Sequence, residues 1–463
     1  MRKHKILYIA AMLAFLAAIG QTKLRAERHG EVLGASGSEK PAYTIYTNPA
    51  EDCSTSMNIS WATPPGKRWE IEVVDASTGE TFIYDYDEAT FAGDSTVTVG
   101  ENGKLYVKPY VYRCETFNNI KSKLSNNKDV YEKHIFDKHG YELFGLEPDR
   151  EYTYRIVTYN DSTGSKDYSD TYRFRTAGAD SWKAAVIGDF HHYSPLWSRL
   201  DNAMGMIDVI DSVSGGIDWV LSTGDQCAAG GMYNCWTELS EQPNYKNYMW
   251  ASVQGNHDHM TLDNKKKTDD FFRDSHFFPQ NGFEGQEGAT YWFKYGDVLF
   301  IMLNNEASRV KGWYTPTAEW IEKVVKENPS KYIVVVEHHQ WIIGQDGTSS
   351  RLENFYKLFD RLGVDLAISG HNHVYLRTPP LKDKKKVDPE EGTYYVVNAS
   401  SDGQRGRDAK PLVANKNLIE KRWSKGSKTI GGMLMDVNPE RIEMTLYDNK
   451  GTVQDTFVVP AKR

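Results

Sequence analysis

Leu366-Ala367-Ile368-Ser369 runs straight into Gly370-His371-Asn372-His373, and this join decides how the rest of the chain is read. A short continuous apolar run between turn signals reads as a strand buried on both faces. Glycine at its end allows a sharp exit and a close approach of backbone. Two imidazoles flanking one residue on the turn then stand where a metal ion can be held. The same grammar recurs upstream: apolar runs at 184–187, 219–221 and 333–336 lead into Gly188-Asp189-Phe190-His191, Gly224-Asp225 and His338-His339. Gly255-Asn256-His257-Asp258 is the remaining member.

Each piece alone is weak. A Gly-Asp at a strand end is usually a turn, and a lone histidine is more often a hydrogen-bonded core or surface residue, the reading given to His192, His259 and His276. All five together, in this order and at strand ends, are a strong signal, because ligands of open α/β folds collect beyond the carboxyl ends of strands. Helix-like stretches at 200–213, 318–327 and 351–362 lie between the apolar runs, so an α/β domain with covered sheet faces is expected over 182–460.

The donor types narrow the chemistry. Imidazole nitrogen with carboxylate and amide oxygen is a borderline set suited to Zn, Mn or Fe, and the lack of cysteine ligands argues against a structural zinc knot. A carboxylate can bridge two cations, and two ions about 3.5–4 Å apart can generate hydroxide at neutral pH and clamp a phosphoryl group. The expected cofactors are therefore two divalent or trivalent metal ions.

Upstream, residues 42–177 change texture. Short alternating segments at 57–61, 69–74, 105–111, 152–159 and 172–176 are separated by polar turns such as Pro64-Pro65-Gly66, the pattern of a β-sandwich. Residues 1–26 read as a signal peptide, with basic Arg2, Lys3 and Lys5 before an apolar run at 6–19 too short to span a bilayer comfortably. Residues 27–41 read as a linker. A secreted protein, periplasmic or extracellular, with no stable membrane anchor after cleavage follows. The 463 residues allow two or three domains. A net charge of -8 argues against a general nucleic-acid binder, so no nucleic-acid partner is expected. Four cysteines suit an oxidising compartment, and keeping each pair within one domain favours Cys53 with Cys114 and Cys227 with Cys235, although four free buried thiols fit as well.

The motifs Asp189-x-His191, Gly224-Asp225, Gly255-Asn256-His257-Asp258, His338 and Gly370-His371-x-His373 resemble the calcineurin-like metallophosphoesterase superfamily. The resemblance implies a four-layer β-sandwich flanked by helices. It also implies one metal held by Asp189, His191, Asp225 and His373, and a second by Asp225, Asn256, His338 and His371. His257 resembles the family's non-ligand catalytic histidine. Segments 57–61, 145–155 and 174–176 resemble the fibronectin-type-III-like domain that precedes the catalytic domain of purple acid phosphatases. That family places an iron-binding tyrosine three residues after the bridging aspartate, where this chain has Ala228, and it lacks a histidine at the position of His191. One ligand replaces the other, so no tyrosinate-to-iron colour is expected.

The function this implies is hydrolysis of small phosphomonoesters by attack of metal-bound hydroxide, with Asn256, His257 and His339 as substrate-binding candidates and Arg377 as a further phosphate contact. A phosphodiesterase on the same site, acting on cyclic nucleotides or glycerophosphodiesters, is the first alternative. A non-catalytic surface-binding protein is the second, and the full ligand set counts against it.

Overall fold

The computed structural model describes residues 42–463 apart from short stretches at 65–66, 86–97, 100–105, 122–128, 161, 179–180, 193–198, 232, 260–269, 305–311, 343–350 and 408–412. The expected signal peptide and linker lie outside the described residues.

Two sheets form the heart of the molecule. In the smaller, seven strands run in the order Tyr291–Tyr295, Val298–Leu303, Tyr332–Glu337, Leu366–Ser369, Tyr394–Val397, Tyr375–Arg377 and Lys421–Trp423. Its inner strands are parallel and buried throughout, which is why they read as unbroken apolar runs. In the larger sheet Trp182–Ile187, Trp219–Ser222 and Met249–Ser252 are parallel neighbours, with the hairpins of Gly431–Val437, Arg441–Asp448 and Val453–Pro460 on one side. The sheets meet through aromatic side chains: Trp219 packs edge-on against Phe293 and Phe300, and Trp182 against Tyr295.

Helices close the outer faces. Leu200–Ser214 turns Ala203, Met206, Ile207 and Ile210 inward, where Met206 and Ile210 lie over Gly432 of the larger sheet. Tyr314–Glu327 and Leu352–Leu362 cover the smaller sheet with Ile321, Phe355 and Phe359, and all three belong to the same apolar cluster as Leu299, Ile301 and Val335. Helix, sheet, sheet, helix is the layering expected of a metallophosphoesterase fold.

The amino-terminal strands do not stand apart from this core. Tyr43–Asn48 pairs in parallel with Met249–Ser252, so Ser56–Thr63, Asp129–Phe144, Tyr106–Lys121 and Thr98–Val99 extend the larger sheet to eleven strands. Side-chain bonds seal the junction: Asn48 Nδ2 donates to Trp250 O at 3.0 Å and Asn58 Nδ2 to Phe277 O at 2.8 Å. A third sheet, Tyr172–Arg175, Glu151–Tyr159, Trp69–Asp75 and Thr81–Asp85, supplies the second layer of the amino-terminal part. Trp69 of that layer meets Trp61 and Tyr141 of the extended sheet edge-on.

The favoured cysteine pairing is corrected. Cys53, Cys227 and Cys235 are free and buried. Cys53 Sγ donates to Ala50 O and lies 3.8 Å from Met249 Sδ, which accounts for it as a small core residue. The Cys114 side chain lies outside the described residues.

Candidate metal centre

The strand ends Ile187, Ser222, Ser252, Glu337 and Ser369 deliver their following residues to one place between the two sheets. There Asp189, His191, Asp225 and His373 each offer a donor atom within 4.8 Å of the others. Asp225, His338 and His371 form a second such group, and Asp225 belongs to both. Asp189, His191, Asp225, His338 and His373 are almost completely buried.

Backbone conformation sets these positions apart. Nine described non-glycine residues have positive φ, and Asp189, His191, Asp225, His371 and His373 are five of them. L-residues avoid this left-handed region because Cβ crowds the following carbonyl. Here it swings each side chain back towards the centre. Glycines provide the clearance: a Cβ on Gly224, itself at φ +89°, would sit 2.8 Å from His338 Nδ1, and one on Gly370 2.6 Å from Asp189 Oδ2.

Hydrogen bonds then fix which ring nitrogens face inward. His338 Nδ1 donates to Thr223 O at 2.7 Å and His373 Nδ1 to Arg405 O at 2.8 Å, which turns both Nε2 atoms to the centre, where a cation would take them deprotonated. His338 Nε2 and His191 Nε2 lie 3.2 and 3.1 Å from Asp225 Oδ2. The His371 amide donates to both Asp189 oxygens at 3.0 Å. Asn256 stands between Gly255 and His257, and among the described residues its buried Oδ1 has no hydrogen-bond partner. An amide oxygen left this way costs free energy unless something electropositive meets it. Two cations sharing Asp225 fit the residues present.

The charges tell the same story. Asp225 is held well below the usual carboxylate range, because His338, His257 and His191 outweigh its burial. Burial and the neighbouring Asp225 push Asp189 up to about 7. His338 is carried up to about 10, since Asp225 and Asp189 overcome its burial. Protons thus serve as the countercharge that a cation would replace.

Around this centre the sequence expectations divide. His257 stands beside His191, with ring centroids 4.8 Å apart, and its amide donates to Asp225 Oδ1 at 2.7 Å. Its Nδ1 donates to Ala228 O, and burial lowers its pKa to about 4. Asp258 plays a structural part, accepting from Cys227 N and Gly255 N. His339 packs beside His371, ring centroids 4.5 Å apart, with its Nδ1 2.8 Å from Arg351 Nη2. Arg377 is committed elsewhere, to Asp455 and Glu420, and so is not a phosphate contact. Trp236 and Trp341 are fully buried in the core.

Sequence reasoning missed the loop 398–407. Ser400 Oγ donates to Asp189 O, Asp402 Oδ2 lies 3.7 Å from His191 Nδ1, and Arg405 Nη2 is 3.3 Å from His257 Nε2. The signal available was the apolar run 394–397 followed by Asn398-Ala399-Ser400-Ser401-Asp402-Gly403, another strand leading into polar residues and a glycine.

Residues 183–375 match the family model described as calcineurin-like phosphoesterase. This part of the chain is a calcineurin-like phosphoesterase domain. The chain is 24% identical over 289 residues to the probable inactive purple acid phosphatase 24 of Arabidopsis thaliana, an alignment covering 54% of this chain and 45% of that one. It is 25% identical over 290 residues to the nucleotide pyrophosphatase/phosphodiesterase of Hordeum vulgare, covering 51% of this chain and 74% of the relative. With a second Arabidopsis relative, probable inactive purple acid phosphatase 27, the alignment covers 57% of that protein, so the chain spans about half the length of the two Arabidopsis proteins. Among solved structures, purple acid phosphatase PPD1 from yellow lupin, Lupinus luteus, superposes with a TM-score of 0.69 at 17% identity, covering 91% of this chain and 74% of that one. PhoD gives 0.52 at 11% identity, covering 92% and 93%. These two likenesses concern the fold.

Proposed function

We propose that the protein is a secreted dinuclear-metal phosphatase acting on small phosphomonoesters. Asp189, His191, Asp225 and His373 hold one cation, and Asp225, Asn256, His338 and His371 the other. The observation carrying this reading is the convergence of five ligand positions on left-handed backbone around a shared carboxylate. Two bound cations supply Lewis acidity and a strong nucleophile from water at neutral pH.

The chain's own groups do the positioning. His338 and His373 are oriented by carbonyls before any ion arrives, so little reorganisation accompanies binding. His257 faces the site with Nε2 while Nδ1–H is tied to Ala228 O. With its pKa lowered to about 4, the ring is uncharged at neutral pH, and nearby cations would lower it further. This supports a role in accepting a hydrogen bond from water or from a donor that itself meets the phosphoryl group, over one in delivering a proton. Asn256 and His339 border the second cation position and serve as further substrate contacts.

Secretion rests on the basic and apolar pattern of the first residues. No described helix is long and apolar enough to cross a membrane.

A diesterase reading is favoured by one observation, the likeness to the barley protein whose name records diester cleavage. Hydrolysis of para-nitrophenyl phosphate and of bis-para-nitrophenyl phosphate by metal-reconstituted protein, beside Asp225→Ala, separates the readings. Monoester turnover abolished by the substitution is expected, and a strong diester preference would replace this assignment. The Arabidopsis relatives are named as probably inactive, so absence of turnover on either ester with Zn, Mn and Fe would turn the reading towards a binding protein.

A further inference from the structure

The loop 398–407 is bound to the metal centre on several sides. Ser401 N donates to Gly188 O at 3.1 Å, Ser400 Oγ to Asp189 O at 2.8 Å, and His373 Nδ1 to Arg405 O at 2.8 Å. Asp402 braces the loop from within. Its Oδ1 accepts from the backbone of Gln404 and Arg405 at 2.7 and 2.8 Å, and its Oδ2 accepts from Arg199 at 2.8 Å. The Arg405 backbone is thereby fixed relative to both Asp189 and His373.

Its side chain is in a different situation from the other arginines near the site. Arg199 has Asp402, Arg351 has Glu337, and Arg377 has Asp455 and Glu420. The buried Asp402 already gives Oδ2 to Arg199 and Oδ1 to the loop backbone. Among the described residues, the Arg405 guanidinium has no carboxylate partner, and its recorded side-chain contact is His257 Nε2 at 3.3 Å. With Nδ1–H of His257 held by Ala228, Nε2 is a neutral acceptor, which occupies one of five guanidinium N–H groups and none of its charge. A partly buried guanidinium fixed at its backbone, beside the metal donors and without a carboxylate partner among the described residues, is complementary to a phosphoryl group, whose oxygens it meets in pairs.

We propose that Arg405 is the substrate-binding residue that holds the phosphoryl oxygens on the His257 side of the centre, and that Asp402 positions it. The proposal rests on the hydrolase reading for its substrate class but not for its test. The bound phosphoryl group takes N–H donors of Arg405 and neutralises it, and His257 Nε2 is released to the substrate or to water.

The test uses the full chain loaded with metal, with Arg405→Ala and Arg405→Lys, read by metal content, by calorimetric affinity for inorganic phosphate and by kcat/KM on para-nitrophenyl phosphate. Loss of a charged hydrogen-bonding partner weakens phosphate binding about 10- to 100-fold in Arg405→Ala. Metal content stays at the wild-type level, and Arg405→Lys recovers part of the affinity, since charge returns without the planar fork. kcat/KM falls at least as far. Weakened phosphate binding in a protein that hydrolyses nothing would keep the anion site and sink the hydrolase reading instead. Equal phosphate affinity in wild type and Arg405→Ala, no phosphate binding by wild type, or loss of metal in both variants would each overturn the proposal.

Discussion

Gly255→Ala puts the steric argument at its sharpest point. A Cβ there would stand 2.7 Å from Asp225 Cγ, and closer still to Asp225 Oδ1 and the Asp225 backbone nitrogen. Real Cβ atoms do not approach heavy atoms inside 3.0 Å. A rotation of the Asp225 side chain would relieve the carboxylate contact, but not the one with the backbone. The two strand-end turns must therefore part by roughly 1 Å, a strain of about 1–3 kcal/mol by analogy with overpacked cores. Because Asp225 serves both donor groups, the displacement reaches both cation positions at once. A shift of about 1 Å at reacting groups costs on the order of 100-fold in rate, and disturbed ligand support about 10- to 100-fold in metal affinity. Metal content by mass spectrometry, thermal unfolding and monoester turnover should all fall together. Gly205→Ala is the control: a Cβ at Gly205, within Leu200–Ser214, meets nothing within 4 Å. It should stabilise by up to about 1 kcal/mol through helix propensity and leave turnover unchanged. A Gly255→Ala protein with full metal content and wild-type turnover would refute the reasoning that this glycine is required by the approach of Asp225.

Metal removal should interact with pH in a definite direction. The raised pKa values of Asp189, about 7, and His338, about 10, mean that these two groups hold protons in the metal-free fold at pH values where they have lost them in the unfolded chain. The His338 contribution is complete below about pH 6.5 and disappears as pH rises through 10, and that of Asp189 fades between about pH 4 and 7. Cations take the deprotonated donors, so the gap in melting temperature between metal-loaded and chelated protein should widen from pH 6 to pH 9. A constant gap in calorimetric scans would count against the assignment. Elsewhere, buried Asp365 accepts from Ile333 N at 2.8 Å and pairs with Arg463 and Lys462 at 2.9 and 3.2 Å. Lys462→Met with Arg463→Met should destabilise by about 3 kcal/mol by leaving this carboxylate without cations, which denaturant titration would register, and an unchanged midpoint would contradict it. Finally, protein loaded with ferric iron should show no tyrosinate charge-transfer band in its visible spectrum, because Ala228 occupies the position where the resemblance places tyrosine. A purple holoprotein would show that another tyrosine reaches the iron.

The parts of this protein that were legible in its sequence are those where local pattern and final position coincide. Runs such as 333–336 and 366–368 are apolar because both faces are covered, and the glycines after the strands reflect close approaches that no side chain survives. What stayed hidden depends on distant partners. Nothing in Tyr43–Asn48 announces that its neighbour is Met249–Ser252, about two hundred residues on, so the amino-terminal strands looked like a separate sandwich and not an extension of the main sheet. Arg405 carries no local signature either, since the imidazole it meets is 148 residues away. Assigning cysteines by domain misleads because sharing a domain says little about whether a buried thiol is packing or bonding. Of the two sixteen-residue strands, Tyr106–Lys121 is longer than the segment 105–111 legible in the sequence, and Asp129–Phe144 is not among the legible segments, as polar residues along both interrupt the alternation that marks a strand.

The left-handed backbone at the centre bears on whether the site is in use. Holding an ordinary L-residue there costs about 1–2 kcal/mol, somewhat less for Asp and His, which enter this region more readily than most. Five such residues therefore represent roughly 5 kcal/mol, comparable to the whole net stability of many domains. The surrounding core can sustain that, but it returns nothing to a protein that only packs its sheets together. Glycine would relieve the strain at each of the five positions, and asparagine would ease it while keeping a polar side chain. Neither occurs at any of them: the residues are aspartate and histidine, whose donors gather in two groups sharing Asp225, while among the described residues the buried Asn256 Oδ1 has no hydrogen-bond partner. A fold that had abandoned its cations would be under no physical need to keep strain, buried charge and an orphaned amide oxygen together, whereas two bound ions would offset all three at once. That balance is what supports a working metal centre over a relic one.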